Sequence, residues 1–189
     1  MWTQNMKDFV TRLVYKYHRE LTEHGYDLYP IKEIKFTRAI KTFGTCTVHF
    51  KTKDCTIAIS ERCFFSGEGK VKNTILHELC HDIKGTKGHG YLWQRYAKEV
   101  GRLYNTNITQ YATKEECANS ADYVKERYNW EITCTNCGHV YRYVRQTKVI
   151  KAIMDGRGHS CRCGACHCSG KLKVKNLNKN VKIYGVKVK

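Results

Sequence analysis

The chain has 189 residues, 41% of them hydrophobic, and its 34 Lys and Arg against 17 Asp and Glu give a formal net charge of +17. This composition excludes global disorder and leaves room for one ordinary domain plus a small appendage. No apolar run approaches the ~18 residues of a membrane-spanning helix, so no membrane association is expected. The N-terminal stretch MWTQNMKDFVTRLVYKYHREL is amphipathic and lacks the apolar core and cleavage site of a signal peptide, so a cytoplasmic location is expected.

Residues 5–23 read as a helix, because Phe9, Leu13, Val14 and Tyr17 recur at helical spacing and His24-Gly25 closes the run. The only proline, Pro30, sits in the connection that follows. The runs IKEIKF, TCTVHF and TIAIS are rich in β-branched residues and predict a small antiparallel or mixed sheet. Helical spacing returns over 70–84 with Val71, Ile75, Leu79 and Ile83, until Gly85, Gly88 and Gly90 break it. A further helix, YLWQRYAKEVGRLY, follows, and a third is predicted over 114–127 from a capping box at Thr113 and Glu116. After Trp130 the texture changes to strand, cysteine knuckle and strand, and the chain ends in alternating Lys and apolar residues.

The second helical run carries HELCHDIKGTKGHG. At 100° per residue His77 and His81 stand one turn apart on one face, where two imidazoles can chelate Zn²⁺. Glu78 lies beside that face. Zinc lowers the pKa of water, and a neighbouring carboxylate can take its proton as general base. A catalytic zinc needs a third protein ligand and one open position. Lys84 and Lys87 occupy the positions where the metzincin pattern wants Gly and His, so that pattern fails. Glu99 on the next helix and His89 in a Gly-His-Gly turn remain as third ligands, and the turn favours His89.

HELCH followed by GHGYLWQRYAKEVG, after a helix and a short sheet, resembles the SprT-like zinc metalloproteases. The resemblance covers nearly the whole chain. It implies that His77, His81 and His89 bind a catalytic zinc, that Glu78 is the catalytic base, and that substrates are proteins bound or crosslinked to DNA. One departure is Cys80, where the family usually has a small apolar residue. A core thiol is the simplest reading of Cys80. Tyr91 and Arg95 are candidates by position alone for stabilising the transition state.

The 11 cysteines, an odd number in a chain without a secretory signal, argue against a disulfide framework. Cys46, Cys55, Cys63, Cys80 and Cys117 are scattered and read as reduced core residues. Cys134, Cys137, Cys163 and Cys166 form two Cys-x-x-Cys knuckles with 25 residues between Cys137 and Cys163. That pattern predicts a closed structural zinc site in a zinc ribbon. Cys161 and Cys168 are spare thiols, and the SGKL strand that follows leaves Cys168 as an alternative to Cys166.

Residues 133–189 hold 9 Lys and 4 Arg against the single acid Asp155. A polyanion, and DNA foremost, is the partner such a bias predicts. Tyr141 and Tyr143 alternate with Arg142, and Arg145 follows; the tyrosines either stack bases or pack the ribbon's core. Lys171, Lys173 and Lys175 extend the basic surface.

The fold class expected is α+β. A minimal zincin-like domain of helices on a small sheet spans 1–132, a β zinc ribbon spans 133–178 and a basic tail spans 179–189. The expected cofactors are two zinc ions, one catalytic and one structural, and a monomer is expected. The reading is a zinc-dependent endopeptidase held on DNA. Its alternatives are a nucleic-acid-binding zinc regulator that cleaves nothing of importance and a purely structural two-zinc protein.

Overall fold

The computed structural model describes residues 2–67 and 69–177 and the backbone of 183–185. The chain is α+β and divides into two compact units, up to Tyr123 and from Val124 onward.

The first unit opens with α1, Gln4–Glu23, capped by the Thr3 side chain, which accepts from the Met6 amide. Its apolar stripe, Val10, Val14, Tyr17 and Leu21, is buried. Three strands follow: β1 (Ile31–Thr37), β2 (Gly44–His49) and β3 (Asp54–Ser60). They form one mixed sheet in the order β1-β3-β2, with β1 parallel and β2 antiparallel to β3. The central strand β3 is the most deeply buried of the three, with Cys55, Ile57 and Ile59 fully enclosed.

A short 3₁₀ turn, Glu61–Phe65, leads to α2, Lys70–Asp82, whose Ile75, Leu76 and Leu79 complete the core. Fully burying each such side chain contributes ~1.5–3 kcal/mol, which is why the HELCH stretch is held rigidly. The helix ends at Asp82, two residues short of the sequence expectation. Ile83 turns extended and bridges Leu28, while the Lys84 amide donates to the Asp27 carbonyl at 2.8 Å.

Helix α3, Tyr91–Leu103, buries Trp93, Ala97 and Val100. Gly101 permits a close crossing here: a Cβ on it would lie 2.6 Å from the Thr106 carbonyl oxygen. The chain therefore folds back over α3 and brings residues 106–109 towards α2.

The helix expected over 114–127 is instead two, α4 (Lys114–Asn119) and α5 (Ala121–Glu126). The capping box of Thr113 and Glu116 is formed. The break falls at buried Ser120, whose hydroxyl donates to the Glu116 carbonyl and accepts from Arg62 Nε at 2.9 Å.

The second unit holds β4 (Trp130–Cys134), β5 (Val140–Tyr143), α6 (Lys148–Met154), β6 (Leu172–Asn176) and β7 (Ile183–Gly185). The sheet order is β5-β4-β6-β7, all antiparallel. Helix α6 is absent from the sequence reading. Thr147 caps it and Ile150 and Ile153 bury into the small core. The sequence texture puts the domain division at 132/133, whereas the contacts put it at 123/124. Strand β4 pairs along its whole length with β5 and β6, which draws Trp130 and its lead-in into the second unit. Apart from the backbone of 183–185, the tail over 179–189 lies outside the described residues.

Candidate metal centres

His77, Glu78 and His81 project from the middle and end of α2, and His89 comes from the turn before α3. The three imidazole Nε2 atoms converge: His77 to His81 is 3.3 Å, and His89 is 3.1 Å from each. His77 Nδ1 lies 3.0 Å from the Thr109 carbonyl, which can only accept, so Nδ1 carries the proton and Nε2 offers a lone pair. The His81 ring likewise donates to the Gly88 backbone. Burial, reinforced by the mutual closeness of the rings, pushes both histidines down to about 4, so they are neutral at neutral pH.

Two bare lone pairs facing each other and a third nitrogen repel unless a cation lies between them. Four ligands ~2.0–2.1 Å from a tetrahedral ion stand about 3.3–3.4 Å apart, close to the spacing here. The donor set and its geometry therefore fit zinc. Glu99, the other third-ligand candidate, is exposed and pairs with Arg95 at 3.6 Å, away from the histidines.

Trp93 forms the floor of the group. Its ring centroid lies 4.8, 5.3 and 4.5 Å from those of His77, His81 and His89, and the residue is 2% exposed. Gln94 Nε2 donates to the His89 carbonyl at 3.0 Å and fixes the turn. The sequence reading gave neither residue a role.

Glu78 is 4% exposed, and burial lifts its carboxyl to about 8, with a hydrogen bond from the Cys46 backbone pulling the other way. Its room comes from Gly44, the first residue of β2. A Cβ there would lie 2.7 Å from Glu78 Oε1 and 2.9 Å from Thr74 Cγ2. A glycine opening a β-branched strand was the available signal. Cys80 is fully buried and its thiol is raised to about 12 by burial, as a packed core thiol should be.

The histidines and Glu78 line a groove of about 670 Å³. Phe43, Phe50 and Tyr111 furnish aromatic walls, and Lys41 and Lys87 add positive charge, while the Lys70 charge is met by Glu116 at 2.8 Å. Neither Tyr91 nor Arg95 is among the described residues of the lining. Tyr91 is exposed on α3, and Arg95 stacks on Tyr96 with its guanidinium 4.8 Å from the ring centre. Tyr111, two residues after the carbonyl that orients His77, brings its phenol to the lining and accepts there from Gln110 Nε2 at 2.9 Å.

In the second unit the thiols of Cys134, Cys137, Cys163 and Cys166 gather within 4.8 Å of one another. Cys134 to Cys166 and Cys137 to Cys163 are both 3.7 Å apart, close to the about 3.8 Å edge of a tetrahedron with ~2.3 Å bonds. Hydrogen bonds from the Tyr141 hydroxyl to Cys163 and from the Cys168 backbone to Cys166 lower those two thiols and favour thiolates. Cys168 joins as a fifth thiol, 3.4 Å from Cys134 and 3.2 Å from Cys166, turned back by a left-handed His167 at φ 58°. Cys161 packs on the small core outside the four.

The basic residues divide by face. Tyr141 and Tyr143 are half-buried against the small core, whereas Arg142, Arg145, Lys171 and Lys173 are exposed and Lys175 is intermediate. Arg142 reaches Glu131 on the neighbouring strand at 3.2 Å.

A family model for SprT-like proteins matches residues 10–112, which include both elements of the histidine group but not the cysteines of the second unit. Proteins named SprT-like from Staphylococcus aureus strains JH9, Newman and JH1 are each 37% identical over 109 residues. That alignment covers 58% of this chain and 60% of each relative, so the chain spans about three fifths of the length of the curated relatives it matches.

Proposed function

The chain belongs to the SprT-like family, and from that premise we propose that it is a zinc-dependent metalloendopeptidase that works on DNA-bound or DNA-crosslinked proteins. The observation that carries the reading is the convergence of three imidazole nitrogens beside a buried carboxylate in one open groove.

His77, His81 and His89 would hold the zinc, with Thr109 and Gly88 fixing two of the rings through backbone carbonyls. When bound, zinc supplies Lewis acidity, which makes water a better nucleophile and a peptide carbonyl a better electrophile. Glu78 takes the proton that the attacking water gives up and returns it to the leaving amine. Burial makes its carboxylate a stronger base than a solvated one, and the Cys46 backbone N–H aims it. The groove, with Phe43, Phe50 and Tyr111 in its lining, would seat an extended peptide. A structural zinc on Cys134, Cys137, Cys163 and Cys166 would fold the second unit, whose exposed Arg142, Arg145, Lys171 and Lys173 offer contacts for DNA phosphates.

The test compares wild type with Glu78→Gln for zinc content and for cleavage of a DNA-bound protein with and without DNA. The reading predicts equal zinc and lost cleavage in the variant. Equal cleavage by both would overturn it, and no cleavage by either under any DNA condition would favour a nucleic-acid-binding regulator.

A further inference from the structure

A third group of metal-type donors lies behind the groove. Cys46 on β2, Cys55 on β3 and Asp82 at the end of α2 each place one ligand atom within 4.8 Å of the others. The sheet register explains the pairing. Cys46 stands opposite Ile57 and Cys55 opposite Val48, so the two thiols are diagonal neighbours on one face of the sheet.

Asp82 is the unusual member. It is fully buried, and among the described residues neither carboxylate oxygen has a well-aligned donor, although the Cys55 thiol and the Tyr29 backbone N–H lie close enough to favour its charged form. Its polar neighbours are the Cys55 thiol, the Tyr29 backbone and His18. His18 Nε2 stands 3.8 Å away and is already engaged with the Tyr29 carbonyl at 2.9 Å. Asp82 also closes α2 at its C-terminal end, where the helix dipole disfavours negative charge. A buried carboxylate in that position is relieved by taking up a proton or by pairing with a cation, and the two thiols beside it favour a metal cation.

We propose that Cys46, Cys55 and Asp82 form a further metal site, for a thiophilic divalent cation of the zinc class. Two sulfur donors select against magnesium and calcium, and one carboxylate suits zinc. Binding displaces both thiol protons to solvent. Cys55 and Asp82 are enclosed, but Cys46 forms part of the groove wall and gives a route for entry. The site ties β2 to the end of α2. Because the Cys46 backbone N–H bonds to Glu78, a cation here steadies the strand that aims that carboxylate. The assignment stands apart from the hydrolytic reading, since it concerns occupancy and not cleavage.

The experiment measures zinc per chain on the full-length protein, for wild type, Cys46→Ser and Asp82→Asn, with folding checked by circular dichroism. In parallel, Cys46 alkylation by N-ethylmaleimide is mapped by mass spectrometry before and after chelation. The expected result is three zinc per wild-type chain, one fewer in Cys46→Ser and in Asp82→Asn, and Cys46 alkylated only after chelation. Equal zinc in wild type and Cys46→Ser, or Cys46 alkylated equally with and without chelator, overturns the site. A Cys46–Cys55 disulfide in protein purified without oxygen does so as well. Loss of cleavage in Glu78→Gln would be unaffected by any of these outcomes, so the two ideas fail separately.

Discussion

The histidine group and the cysteine group use opposite routes to a tetrahedral set of donors. The histidines ride on α2 and a turn braced by a large core, so their positions are set before any metal arrives. The cysteines sit on two knuckles of a unit whose enclosed apolar side chains, among the described residues, are few: Ile132, Ile150, Ile153, Leu172 and Val174, with two of the thiols themselves. The histidine group opens onto a groove. The cysteine group has four thiols closing on one another and leaves no comparable opening among the described residues, which under the proposed reading makes it a site that serves the fold. The difference teaches that a metal site can be a product of the fold or a cause of it, and that the size of the surrounding core decides which.

The sharpest way to break this comparison is to remove metal. Zinc binding to small thiolate sites is worth ~10–16 kcal/mol, about as much as the gross burial of the second unit's few enclosed apolar side chains, from which the entropy of ordering the unit has still to be subtracted. A strong chelator should therefore unfold the second unit and leave the first folded. Amide-resolved NMR would report it, and a second unit that keeps its dispersed signals would contradict the claim. Cys163→Ser should mimic the chelator, because Cys163 is fully enclosed and bonds Tyr141.

A second perturbation acts on the chemistry and spares the fold. Glu78→Gln removes the base and should slow cleavage by about 10²–10⁴-fold. It also removes a costly buried carboxyl, so thermal stability should hold or rise. A fall in both activity and melting temperature would mean that Glu78 is structural.

Gly44→Ala is gentler and more local. Its Cβ would press on Glu78 Oε1 and on Thr74, an overpacking of ~1–3 kcal/mol. The expected outcome is a lower kcat with zinc content unchanged, read by single-turnover kinetics and metal analysis. The smallest effect belongs to the second unit's surface. Lys171→Gln and Lys173→Gln should each flatten the dependence of log DNA affinity on log salt by about 1 while leaving folding alone. An unchanged slope would remove those lysines from the contact.

The sequence shows the two centres unequally well. His77 and His81 are legible because helical periodicity alone puts them on one face; His89 of the Gly-His-Gly turn lies close to them in space, and Glu99 pairs with Arg95 instead. Trp93 and Thr109 were not legible as partners. Their roles depend on how α3 crosses α2 and on Gly101 letting residues 106–109 return, which are tertiary facts. The three strands are legible as a small antiparallel or mixed sheet, but not that the sheet is mixed or that β3 is central, because strand composition carries neither. Helix α6 is not legible between the two cysteine knuckles, because it spans only seven residues and buries only Ile150 and Ile153. The choice between Cys166 and Cys168 stays as close in space as it was in sequence, since the left-handed His167 brings both thiols to Cys134.

The central claim is that His77, His81 and His89 together hold one zinc ion that the cysteine unit does not share. Zinc per chain in His89→Ala, measured beside wild type with the second unit's NMR signals as a control, tests it most directly. The account predicts the loss of one equivalent with those signals unchanged. Full zinc content in His89→Ala, with cleavage intact, would contradict it.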